Sequence, residues 1–274
     1  MDIAAARKDT QEKIQEKIKN LEAKGEYWTN VQPINYEKVI PVTKDYNFLP
    51  RNPFFLIWST IVRAIAILIG PFAMLFVLGG RTVGKRNLRG LKGFVAVCNH
   101  VHTLDNMLVR QAVFGHRLYI TVAEFNNMKG FLGSFIRAAG TLPFSSNVSA
   151  VINLQKTISY LLKKNCAILG YPERALWYRY EKPRPLNNGM FHIAVKNKVP
   201  VVPMFITFEE PSKFRKIFSK KKCAKLNVLK PIFPNPELSD RENISEMMKN
   251  CSSQWEECYK EHYKGNGDWG SRNN

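Results

Sequence analysis

The chain carries Asn99-His100-Val101-His102-Thr103-Leu104-Asp105 directly after an apolar run, 94–98. A neutral imidazole can take a proton from an alcohol, while a carboxylate fixes its tautomer and stabilises the imidazolium. His100 and Asp105 therefore have the types needed to activate a hydroxyl as general base and orienting acid. No enzyme nucleophile is needed if that hydroxyl itself attacks an activated acyl group, and no Gly-x-Ser-x-Gly elbow supplies a serine. A His and an Asp at this spacing are common by chance, so the pair alone leaves a reading as turn residues open. His102 competes as the base, but its neighbours favour a turn role.

Such a pair works only if something rigid aims it. From residue 94 onward, short apolar runs alternate with helical periodicity. Strands are expected at 94–98, 118–122, 166–170, 199–208 and 226–229, and helices at 106–114, 131–138, 150–163 and 189–196. Alternation of this kind implies an α/β layer with a largely parallel sheet flanked by helices. The working site of such a sheet lies beyond the carboxyl ends of its strands. His100 and Glu173 both fall just past strand ends and can share one site.

Ahead of this layer, residues 54–78 are the most apolar region, interrupted by Arg63 and by Gly70-Pro71. A spanning helix needs about 20 continuous apolar residues, and a mid-membrane arginine is costly. A kinked span, a hairpin entering one leaflet and a buried core pair all remain open; the scarcity of polar residues favours membrane contact. Arg81, Lys85, Arg86, Arg89 and Lys92 follow directly, which suits an anionic leaflet and the cytoplasmic face. A helix is expected at 10–24, with Ile14, Ile18 and Leu21 on one face and Gly25 as its stop, then an extended segment punctuated by Pro33, Pro41, Pro50 and Pro53. Between Pro211 and Lys222 a basic stretch carries Phe214, Ile217 and Phe218, either a solvated loop or an interfacial patch. Ser239-Asp240-Arg241-Glu242 is a capping box that opens a last helix, with Ile244, Met248, Cys251, Trp255 and Cys258 toward one face.

The 274 residues are enough for one large domain with an appendage, and 45% hydrophobic content excludes a disordered chain. The net charge of +19 favours anionic partners such as lipid headgroups, nucleic acid or an acidic carrier protein. Nucleic acid is disfavoured because the cations flank an apolar segment and no aromatic-laced basic groove or binding motif is present. The five cysteines form no C-x-x-C pair and no zinc-spaced cluster, implying a reducing, cytoplasmic setting without a structural metal. Residues 1–25 contain no apolar core of a signal peptide.

Three later stretches join the His/Asp turn: Gly133-Ser134-Phe135-Ile136-Arg137-Ala138-Ala139-Gly140-Thr141, Gly170-Tyr171-Pro172-Glu173-Arg174, and Asn188-Gly189-Met190 leading to Val199-Pro200-Val201-Val202-Pro203. With them, residues 83–234 resemble the glycerolipid acyltransferase family, whose blocks N-H-x-x-x-x-D, a Gly-rich segment, F-P-E-G-T-R and V-P-V-x-P occur in this order. The resemblance implies transfer of a fatty acyl group from acyl-CoA or acyl-carrier protein to a lipid hydroxyl. His100 would be the base and Asp105 its orienter, with Arg137, Glu173, Arg174, Gly189 and Pro203 in the substrate region, and neither metal nor cofactor required.

Three family cations are replaced. Glu124 stands where a lysine is common, Pro143-Phe144-Ser145-Ser146 where an arginine closes the second block, and Leu176 in place of the third-block arginine. Arg174, Arg179 and Arg184 lie nearby as substitutes. A phosphate clamp needs cations, so these changes point to an acceptor other than simple lysophosphatidate, with Glu124 meeting a cationic or hydroxyl-rich group. A non-catalytic lipid-binding scaffold on the same fold is the competing expectation. The expected organisation is an N-terminal helix and extended segment (1–52), a membrane-associated helical region (53–82), the α/β domain (83–264) and a flexible tail (265–274).

Overall fold

The computed structural model describes residues 3–31, 38–217, 219 and 221–263. Pro33, Phe218, the Phe214 side chain and the tail from 265 fall outside them.

Helix α1 (Ile3–Lys24) starts earlier than the periodicity indicated, because Ala4-Ala5-Ala6 extends it with strong helix formers. Gly25, at φ 69, ends it in the left-handed conformation that glycine adopts without strain. Ile18 and Leu21 pack with Val31 against Ala175 and Trp177. The chain then runs through residues 38–50 to α2 (Pro53–Leu68), which Asn52 caps through Phe55 N–H, and to the short α3 (Gly70–Ala73) continued by a π turn (Met74–Leu78). The break falls at Gly70-Pro71, where proline cannot continue the ladder, and the two segments are bent by 42°. Among the described residues no single helix is long and apolar enough to cross a membrane; only the bent pair together reaches that length and composition. The pair buries only one face, through Ser59, Val62, Met74 and Leu78, while Phe54, Ile57, Leu68, Ile69, Phe72 and Phe76 face outward.

The remainder alternates as expected: β1 (Arg81–Val83), β2 (Phe94–Cys98), α4 (Asp105–Ala112), β3 (Leu118–Val122), α5 (Gly130–Ala138), β4 (Thr141–Pro143), α6 (Val148–Lys163), β5 (Ala167–Gly170), α7 (Gly189–Asn197), β6 (Val201–Glu209), α8 (Lys213–Lys216), β7 (Cys223–Val228) and α9 (Asp240–Tyr263). They build a seven-stranded sheet in the order β1-β7-β6-β2-β5-β3-β4. Strands β6, β2, β5, β3 and β4 run parallel; β7 turns back antiparallel to β6 and carries β1 alongside it. A sheet covered on both faces wants apolar side chains on both. In β2, Val95 and Val97 enter the core with Leu154, Phe191, Phe205 and Trp255, while Phe94, Ala96 and Cys98 enter the opposite core with Leu108, Val109 and Met204. Ser239 and Glu242 cap α9 reciprocally. Its buried stripe is Met247, Cys251, Trp255, Tyr259 and Tyr263; Ile244, Met248 and Cys258 sit at the edge, one position off the expected face.

Candidate active site at the carboxyl end of β2

Strand β2 lies between β5 and β6, so its exit is flanked by theirs. Asn99, fully buried, fixes that exit: its side-chain oxygen accepts from Ile206 N–H at 2.7 Å and its amide donates to Ile206 O at 3.1 Å. His100 follows with its side chain 22% exposed, and Asp105 opens α4 with none. His100 Nδ1 lies 2.8 Å from Asp105 Oδ2, which also accepts from the backbone N–H groups of Val101 and His102 at 3.2 and 3.4 Å. The turn thus wraps one carboxylate oxygen. A carboxylate only accepts, so the neutral imidazole carries its proton on Nδ1 and keeps the Nε2 lone pair free. No described group bonds Nε2, and it can receive the proton of an incoming hydroxyl.

Tyr171, just past β5, completes the dyad. Its hydroxyl donates to Asp105 Oδ1 at 2.6 Å, and its ring stacks on His100 at 4.0 Å between centroids. Burial, and then the Asp105 charge, hold the phenol pKa well above its usual value, so it stays a donor. The Tyr171→Phe variant should lose about 1.5–3 kcal/mol of stability, because a buried carboxylate oxygen loses its charge-assisted partner. Denaturant unfolding measures that loss, and kcat should fall alongside it as Asp105 loosens.

The backbone of His100 is held as firmly as its ring. Its N–H donates to Glu173 Oε2 at 3.1 Å, and its carbonyl accepts from Trp177 N–H at 3.0 Å. Glu173 is paired with Arg184 at 2.6 Å, with side-chain exposures of 1% and 0%. Arg184 also donates to Ala175 O and Tyr27 O and lies 4.6 Å above the Trp177 ring.

Residues 81–207 match the family model described as Acyltransferase. That match takes in β1 through most of β6, and with them the turn that carries His100 and Asp105. A 1-acyl-sn-glycerol-3-phosphate acyltransferase of Saccharomyces cerevisiae is 27% identical over 186 residues, 66% of this chain and 60% of the yeast protein, so the match spans only about three-fifths of that relative. In fold, the crystal structure of the 1-acyl-sn-glycerophosphate acyltransferase of Thermotoga maritima superposes with a TM-score of 0.54 at 18% identity, over 81% of this chain and 86% of that one.

Within the matched region the other expected site residues are spread out. Arg137 donates to Met128 O at 2.6 Å and to Asn127. Arg174 is exposed, 5.8 Å from the Trp28 ring. Gly189 opens α7, its N–H bonded to Asn187 Oδ1. Pro203 is buried within β6 beside Val97, below the strand ends. Arg184 is sealed against Glu173, and Arg179 donates to Lys222 O at 2.7 Å. His102 accepts from Leu104 N–H through Nδ1. Burial lowers its pKa, with the Arg179, Lys221 and His100 charges adding to that against Asp105.

The altered positions have an internal use. Glu124 Oε1 accepts from Val42 N–H at 2.7 Å, and Ser145 Oγ donates to Val42 O at 2.6 Å. Asn127, bonded to both Ile40 N–H and Ile40 O, holds the same segment. Residues past β3 and β4 therefore grip the N-terminal segment instead of standing open. Sequence reasoning gave Tyr171 and Asn99 no role in the site and offered Arg184 as a phosphate contact, not as the partner of Glu173. The signal available was a tyrosine where the family block has phenylalanine, and an arginine eleven positions past a buried acid.

Proposed function

We propose that this protein is a membrane-surface O-acyltransferase that moves a fatty acyl group from an acyl thioester, of CoA or acyl-carrier protein, to the free hydroxyl of a lysophosphatidate-class lipid. The observation that carries this is the His100–Asp105 pair, with Nε2 unpartnered at the carboxyl end of β2. The acceptor oxygen attacks the thioester carbonyl as Nε2 takes its proton. The C–S bond then breaks, and the imidazolium returns the proton to the leaving thiolate, giving ester and thiol. Asp105 orients the ring and offsets the charge formed on it. Cys98 does not act as an acyl carrier, being fully buried with its thiol pKa raised by burial.

The names of the yeast and Thermotoga relatives weigh against the phosphate-free acceptor that the three replaced cations indicated. Glu124 and Ser145 are engaged with Val42, so the phosphate is assigned elsewhere, to the side of the site where Arg179, its N–H bonded to Val101 O at 2.8 Å, stands next to the His100–Asp105 turn. Incubating the purified protein with labelled acyl thioesters and a total lipid extract, then identifying the labelled product, tests this. A labelled diacyl phospholipid supports it, and a labelled phosphate-free lipid overturns the acceptor assignment.

The membrane assignment rests on the outward apolar face of α2, α3 and the π turn, joined by Phe131 and Leu132 of α5. We read this face as entering one leaflet, with the exposed Lys85, Arg86, Arg89 and Lys92 at anionic headgroups on the cytoplasmic side. A fully buried Phe contributes about 1.5–3 kcal/mol. The Phe72→Ser/Phe76→Ser double variant should therefore partition into phosphatidylcholine–phosphatidylglycerol vesicles at least roughly tenfold more weakly in a sedimentation assay.

A further inference from the structure

Three arginines meet at the inner edge of α2, away from the strand ends that hold His100. Arg63, half-buried, donates from Nη1 to Leu118 O at 3.0 Å and from Nε to Ser59 Oγ at 3.2 Å. Arg110, near the end of α4 and 8% exposed, donates from Nη2 to Ala139 O at 2.9 Å, while its Nε is buried without a partner. Arg117, exposed just before β3, shares the Tyr119 ring with Arg63, their guanidinium carbons 5.7 and 4.7 Å from its centroid. Gly140 leaves the room: a Cβ there would stand 2.1 Å from Arg63 Nη2.

Among the described residues no carboxylate pairs with any of the three. Burial lowers the Arg63 pKa, and the Arg117 and Arg110 charges push it further against the Tyr119 ring. Like charges taken out of water call for a counter-charge. Arg184 has Glu173; this cluster has only neutral acceptors, two carbonyls and the Ser59 hydroxyl, and each guanidinium keeps donors to spare. Planar guanidinium forks are suited to the oxygens of a phosphate. The cluster lies beside the amino ends of β3 and β4, at Leu118 and Gly140, whereas the parallel strand β2 delivers His100 at its carboxyl end. It is therefore a place apart from the acyl-transfer centre, directly behind the apolar face of α2.

We propose that Arg63, Arg110 and Arg117 form a site for a phosphate-bearing anion, separate from the His100 centre, that completes the packing of α2 on the domain. The anion is either a lipid headgroup or free phosphate. The test compares the melting temperature of the full chain in sodium phosphate and in sodium chloride at matched ionic strength. It also compares sedimentation with phosphatidylcholine vesicles containing or lacking phosphatidic acid. One or both responses should be present in the parent protein and in His100→Ala: a phosphate-specific rise of roughly 3–6 °C, or a several-fold gain in binding to phosphatidic acid vesicles. Each should be lost in Arg63→Gln and in the exposed Arg117→Gln, and kept in Lys249→Gln, an exposed position on α9. Loss of the phosphate response identifies the free ion as a ligand, and loss of the vesicle response identifies the headgroup. Absence of both responses in the parent, or their full retention in Arg117→Gln and Arg63→Gln, overturns the site.

Discussion

Replacing His100 by alanine should lower the acyl-transfer rate by about 10²–10⁴-fold, the usual contribution of a positioned general base. The melting temperature and vesicle binding should stay close to those of the parent. The ring is partly exposed and its deletion leaves Asp105 three described donors: Tyr171 O–H, Val101 N–H and His102 N–H. The carboxylate is therefore not abandoned, which separates loss of chemistry from loss of fold. A lipid-binding scaffold would make the opposite prediction, since it would have no transfer activity to lose. Steady-state kinetics beside a melting curve distinguishes the two.

The second large effect is structural. Arg184→Met should destabilise the protein by about 3–5 kcal/mol, the cost of leaving a buried partner charge uncompensated. For a chain of this size that is a fall of roughly 10 °C in melting temperature. Glu173 would keep only the N–H donors of His100 and Arg184 inside a closed site, and the loop carrying Trp177 would lose its link to Tyr27 O. Because Glu173 and Trp177 hold the His100 peptide by its two ends, kcat should fall more than KM rises. Adding Glu173→Gln to Arg184→Met should recover part of the stability, as expected for residues in one network. Thermal unfolding of the two single variants and the double variant measures the coupling.

Much of the site's framework was legible because it is local. The run 94–98 became β2 and 118–122 became β3 with the expected bounds, since a buried parallel strand is written as continuous apolar sequence. Strands β1 and β4 were not foreseen. Each has three residues and is fixed by its neighbour, Arg81–Val83 by β7 and Thr141–Pro143 by β3. The His100–Asp105 contact was readable because one turn spans it. The Glu173–Arg184 pair was not: Arg184 looked like a spare phosphate contact, and only the closing of the 174–185 loop under α1 shows that its charge is consumed inside the protein. Likewise Glu124 and Ser145 looked like a changed acceptor site, whereas a segment some 80 to 100 positions earlier turns out to be their partner.

The most direct measurement follows label from acyl-CoA into lysophosphatidate presented in anionic vesicles, with the parent protein and His100→Ala side by side. Labelled diacyl phosphatidate is expected from the parent and almost none from the variant. Equal labelling by both proteins would contradict His100 as the base, and no labelled lipid from the parent with this donor or with acyl-carrier protein would contradict acyl transfer to this acceptor.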